Sequence, residues 1–125
     1  MWRLLRKRTT AGLGKFVEPA SVVLRDERSS SSVRCLIAQY SENGDLVIEG
    51  QDIGNSVNTA LGYREYEWKW TIKEADIPKL KSALKAETSL LAALKSRFCN
   101  ENAILLEGFL NEHSIPFDFW NRLGD

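Results

Sequence analysis

At 125 residues, with 43% hydrophobic and 27% charged residues, the chain is one domain long and too apolar to remain disordered. Seventeen Lys and Arg balance seventeen Asp and Glu, giving zero formal net charge and a pI near 6.6, so composition excludes wholesale polyanion binding. No apolar run approaches the roughly 18 residues that a membrane-spanning helix takes.

The charge is unevenly spread. Residues 1–34 hold eight bases against three acids, and residues 35–125 hold nine bases against fourteen acids. A basic N-terminal arm is thus attached to an acidic body, an asymmetry that steers partners. Met1 to Arg8 is rich in cations, as the start of an export signal is. Thr9 to Lys15 then lacks the apolar stretch of roughly 7–15 residues that such a signal needs. The cytosol is the expected compartment, with Cys35 and Cys99 reduced and buried.

Beyond the arm (residues 1–15), the first half reads as strands. Ser21 to Arg25 is a short β-branched run, closed by Asp26-Glu27-Arg28 and the polar stretch Ser29 to Ser32. Val33 to Tyr40 follows, with Val33, Cys35 and Ile37 on one face and Leu36, Ala38 and Tyr40 on the other. Both faces are apolar, which places this strand inside the sheet. Asn43-Gly44 is a hairpin signal because both residues tolerate positive φ, and Leu46 to Gly50 is the returning arm. Residues 51–62 are expected as one or two helical turns, with Asp52 as N-cap and Gly62 as stop.

The clearest pattern runs from Tyr63 to Ile72 with period two. It sets Tyr66, Trp68, Trp70 and Ile72 against a core, and Glu65, Glu67, Lys69 and Thr71 toward solvent. The period then becomes helical. Ile77, Leu80 and Leu84 form one stripe, with Asp76 as cap and Pro78 tolerated in the first turn. Thr88 is the expected cap of a second helix carrying Leu90, Leu91, Leu94 and Phe98. Asn100 is the expected cap of a third, with Leu106, Phe109, Leu110 and His113. The tail, residues 115–125, is dense in aromatics and expected to dock on the body. The fold class predicted is α+β in a single domain: an antiparallel sheet of four to five strands within residues 20–72. About three helices, within 74–114, cover one face.

Catalytic signatures fail one by one. Gly12-Leu13-Gly14-Lys15 lacks the earlier glycine of a phosphate loop, since Thr9 stands there, and Phe16 replaces the Ser or Thr that should follow the lysine. One histidine and two distant cysteines give no metal-ligand spacing, and no cofactor motif is present. His113 continues an apolar stripe at a helix end, where packing accounts for it. Glu65 and Glu67 point the same way, roughly 7 Å apart along one strand, a spacing at which acid–base pairs operate. Lys69 extends the row, however, and marks it as the exposed face of a sheet. Tyr66, Trp68 and Trp70 would stack bases only with cations interleaved on their face, and Arg64 is the single one in sight. No enzyme is expected.

Four strings carry a family resemblance: Gly50-Gln51-Asp52-Ile53-Gly54, Glu65-Tyr66-Glu67-Trp68, Ala75-Asp76-Ile77-Pro78, and His113 through Trp120. In this order they resemble a family of small bacterial proteins similar in build to the immunity proteins of toxin systems, including contact-dependent growth inhibition. The resemblance covers about residues 33–125 and implies a protein that neutralises one cognate toxin domain without chemistry of its own. A nuclease toxin is basic around its substrate groove, so carboxylates on an acidic body serve as phosphate surrogates. The residues expected to bind the toxin are Asp52, Tyr63, Glu65, Glu67, Glu74 and Asp76. The alternative is a nucleic-acid- or ribosome-associated module that uses the basic arm, which Arg3, Arg6, Lys7 and Arg8 would serve only through weak, salt-sensitive phosphate contacts.

Overall fold

A computed structural model describes residues 19–54 and 64–124. Five strands, β1 (Ser21–Arg28), β2 (Ser32–Tyr40), β3 (Leu46–Gly54), β4 (Glu65–Ile72) and β5 (Asp118–Gly124), form one sheet. Their order is β1-β2-β3-β4-β5, and every neighbouring pair is antiparallel. The helices α1 (Ile77–Leu84), α2 (Leu90–Phe98) and α3 (Leu106–Glu112) fall between β4 and β5 in sequence. Fold class and strand count match the expectation from pattern, but the fifth strand is C-terminal rather than part of residues 20–72.

The serine run closes the first turn. Ser29 N–H donates to Ser32 O at 2.9 Å, and Ser29 Oγ accepts from the N–H groups of Ser31 and Ser32. The second turn uses Gly44 at φ 91°, as the Asn-Gly signal predicts. Its Asp45 carboxylate accepts from Glu74 N–H at 2.8 Å, tying the hairpin to the start of the helical layer.

Two strands run further than their apolar content suggests. β1 continues through Asp26-Glu27-Arg28 after a register shift between Val23 and Arg25. There the charges pair along the strand, Arg25 with Glu27 and Arg28 with Asp26. β3 continues through Gln51 to Gly54 where a helical turn was expected. Asp52 is therefore no helix cap: it lies between Arg34 of β2 and Tyr66 of β4. Ladder bonds to strands on both sides outweigh a local capping preference. Residues 55–62 of that expected helix, and Tyr63, lie outside the described residues.

In the helical layer the stripes hold and the caps move. Asp76 stands at the N-terminal boundary of α1 without a side-chain capping bond. Ser89, not Thr88, caps α2, its Oγ accepting from Ala92 N–H at 2.9 Å. Asn100, at φ 56°, opens a 3-10 segment, Asn100–Leu105, instead of capping α3. Leu24, Leu36, Ala38, Leu46, Ile48 and Ile72 of the sheet pack in one core with Leu80, Leu91, Leu94, Phe98, Leu106 and Leu110 of the helices.

Candidate functional site

The pleat sends alternate side chains to opposite faces of the sheet. On the helix side the register builds transverse rows. Tyr40, Leu46 and Ile72 form one, followed by Ala38, Ile48, Trp70 and Phe119. The next row is Arg25, Leu36, Gly50, Trp68 and Asn121, and the last is Glu27, Arg34, Asp52, Tyr66 and Leu123. The first two rows are largely buried: Leu46, Ala38, Ile48 and Ile72 are fully so, and Trp70 is 7% exposed. The last two are only partly covered and form the floor of a cleft of about 330 Å³. Ala103 and Ile104 of the 3-10 segment and Glu107 of α3 wall it on the helix side.

Trp68 leans over Gly50, where a Cβ would overlap its ring, and Tyr66 stacks on Trp68 with centroids 5.3 Å apart and planes 20° apart. Trp70 packs edge-on against Phe117. The period-two reading thus places the β4 aromatics on the correct face but makes them all core, whereas Tyr66 and Trp68 are half-buried.

The charged groups of the cleft are incompletely matched. Arg34 Nε is 3.6 Å from Asp52 Oδ1, beyond hydrogen-bonding reach. Arg25 is held to Glu27, Nη2 donating to Oε1 at 3.2 Å, while its Nε, 3.0 Å from Oε2, is off the line of its N–H. Trp70 Nε1 is buried as well and has no acceptor among the described residues. Burial pushes the Asp52 carboxyl above its ordinary range, against the pull of Arg34 and Arg25.

The opposite face carries the glutamate pair. Gln51, 3% exposed, donates from Nε2 to Glu65 Oε2 at 2.7 Å and to Glu67 Oε2 at 3.3 Å. Arg122 of β5 donates from Nε and Nη2 to Glu67 Oε1, at 3.1 and 2.9 Å, and Lys69 lies over the Trp120 ring at 5.4 Å. The row read as freely exposed is therefore tied down: the Glu65 and Glu67 side chains are 23% and 17% exposed. A docked tail was expected, but not the pairing register that sets Arg122 opposite Glu67.

The expected binding residues do not form one surface. Asp52 is on the cleft face, Glu65 and Glu67 are on the other, Glu74 and Asp76 lie in a 3-10 turn beyond Ile72, and Tyr63 is outside the described residues. Sequence reasoning missed Arg25 and Arg34, the cations that share a face with Tyr66 and Trp68. One signal was present: Arg34 has the parity of Leu36 and Ala38 on β2, a charge on an otherwise apolar face.

The sheet ends at β5, whose residues are exposed along nearly its whole length, Phe119 at 54%, Trp120 at 47% and Leu123 at 43%. Cys35 and Cys99 are both free and half-buried; burial and the nearby Asp26 carboxylate push the Cys35 thiol up. Among the described residues no cluster of three or more His, Cys, Asp or Glu is placed to hold a metal, and no helix is long and apolar enough to cross a membrane.

These features define a small antiparallel α+β protein with an open polar-aromatic cleft beside an apolar sheet edge. Compared with family models, curated proteins and solved structures, the chain matches none.

Proposed function

We propose that this chain is an immunity protein that binds a cognate bacterial toxin domain, a nuclease, and occludes its active or substrate-binding surface. The observation that carries the reading is the edge strand β5, which among the described residues pairs on one side only, with β4. A free edge presents unpaired backbone groups, a liability that proteins ordinarily blunt with charge, proline or cover. Between the charged Asp118 and Arg122, β5 holds Phe119 and Trp120, and Leu123 follows them, each more than two-fifths exposed; exposed aromatics of this kind anchor protein interfaces.

Charge supports the same partner. The body beyond residue 34 is acidic, and a protein that grips nucleic acid is basic around its groove. The four strings resembling immunity proteins lie in this body, and the last of them reaches the first three residues of β5, Asp118, Phe119 and Trp120. Of the residues expected to bind, Glu65 and Glu67 border that strand, where Arg122 holds them in place.

Binding to the toxin domain encoded beside this chain is the test, with a dissociation constant of about nanomolar or tighter, roughly −12 kcal/mol, expected for neutralisation. Trp120→Ala should weaken it by about 2 kcal/mol or more, roughly 30-fold, with the circular dichroism spectrum unchanged. Absence of saturable binding to the co-encoded domain overturns the reading.

A further inference from the structure

We propose that the cleft on the helix side of the sheet is a nucleobase site, which holds one planar heterocycle against Trp68 and Tyr66 within reach of Arg25, Arg34 and Trp70. The site shares Phe119 with the β5 edge but does not rest on the immunity reading.

Three observations converge on a ligand of this chemistry. The first is the set of incompletely matched donors. Trp70 Nε1 is buried with no acceptor among the described residues, and Arg25 Nε and Arg34 Nε, which line the same cleft, face the Glu27 and Asp52 carboxylates without an aligned hydrogen bond. Buried polar groups in folded proteins are almost always hydrogen-bonded, and the indole belongs to a residue more than nine-tenths buried. The indole donates, so the partner it is missing brings an acceptor.

The second observation is the shape and surface of the floor. Tyr66 and Trp68 form a near-parallel stack left half-buried beyond the helices, with Phe119 on the neighbouring strand. Flat aromatic faces of this kind hold bases by stacking, independently of which base it is. A cleft of about 330 Å³ sits at the small end of ligand-binding cavities and suits a nucleoside-sized group.

The third is charge. Arg25 and Arg34 are offset by Asp52 and Glu107, so the lining is balanced. A site for a free polyanion would carry excess positive charge. A nucleobase is neutral and presents both acceptors and donors on its edge; guanidinium groups satisfy ring nitrogens and carbonyl oxygens, and a carboxylate such as Asp52 accepts from an amino group. The cations that base stacking demands of this face are thus supplied by β1 and β2, far in sequence from the aromatics.

The base would come either from a free nucleotide or from an unstacked position in a single strand. The test uses the full chain labelled with ¹⁵N, titrated with AMP, GMP, CMP, UMP, ribose 5-phosphate and a short single-stranded oligoribonucleotide. The Trp70 indole N–H resonance, assigned through Trp70→Phe, is the readout. At least one nucleotide should move it saturably while ribose 5-phosphate does not. Arg34→Gln should weaken that binding tenfold or more and leave the remaining amide spectrum intact, since the Arg34 side chain is 42% exposed. Tighter binding of the oligonucleotide would assign the source to a strand, and equal or weaker binding to a free nucleotide; both retain the base site. The proposal is overturned if no nucleotide moves the resonance, if ribose 5-phosphate moves it equally, or if Arg34→Gln binds as well as the parent chain.

Discussion

On the helix side of the sheet, the rows through Ile72 and Trp70 are apolar and largely buried, whereas the rows through Trp68 and Tyr66 carry Arg25, Arg34 and Asp52. The same strands, with the same pleat, build both. What differs is cover: the helical layer packs on the first pair of rows, and over the second pair Ala103, Ile104 and Glu107 wall an open cleft. Burial by a second layer is the main source of stability in such a domain. Where that layer stops, the face is released from packing and can hold groups that would be costly inside.

The strongest way to break this comparison is to cut into the closed half. Leu46 is fully buried, and Leu46→Ala should destabilise the fold by about 2–5 kcal/mol, read as a lower denaturant midpoint at constant slope. The matched change in the open half, Arg34→Gln, should stay within about 0.5 kcal/mol. Equal losses at the two sites would mean that the open rows hold the fold together as firmly as the closed ones.

Gly50 sharpens the boundary between the halves. It lies on the same transverse row as Trp68, and a Cβ there would run into the indole, on which Tyr66 also stacks. Gly50→Ala should cost about 1–3 kcal/mol by forcing the ring off its seat, with a changed near-ultraviolet dichroism signal. A neutral result would show that Trp68 swings freely, and the cleft floor with it.

The closed half was the legible one. Period-two and helical spacing identify the β4 core face, Ile77-Leu80-Leu84, and Leu106-Phe109-Leu110, because burial under a second layer writes its period into the residues. The open half was not. Its cations come from β1 and β2 and its aromatics from β4, so only the pairing register brings them together. The same holds on the opposite face, where Arg122 reaches Glu67 across 55 positions of sequence. Local capping rules misplaced Asp52, which is spoken for by neighbours on both sides of its strand.

Asp52 supplies the finest test, smaller than either core change. Its carboxyl is held above its ordinary value of 3.8 because burial disfavours the charge more than Arg34 and Arg25 favour it. The folded state therefore binds this proton more tightly than the unfolded state does, and ionisation at Asp52 opposes folding. Well below pH 3.8 both states are protonated and the group contributes nothing against the fold; as pH rises through 3.8 to the higher folded value, stability is lost. Asp52→Asn removes the ionisation while keeping an oxygen acceptor, so it should be more stable than the parent near neutral pH and converge with it in acid. Denaturant midpoints across this pH range measure the difference. The reverse outcome, an Asn variant weaker at neutral pH, would show that attraction to Arg34 across 3.6 Å exceeds the cost of burial. That would make the charged row a source of stability and leave the two halves of the face different in chemistry but alike in what they contribute to the fold.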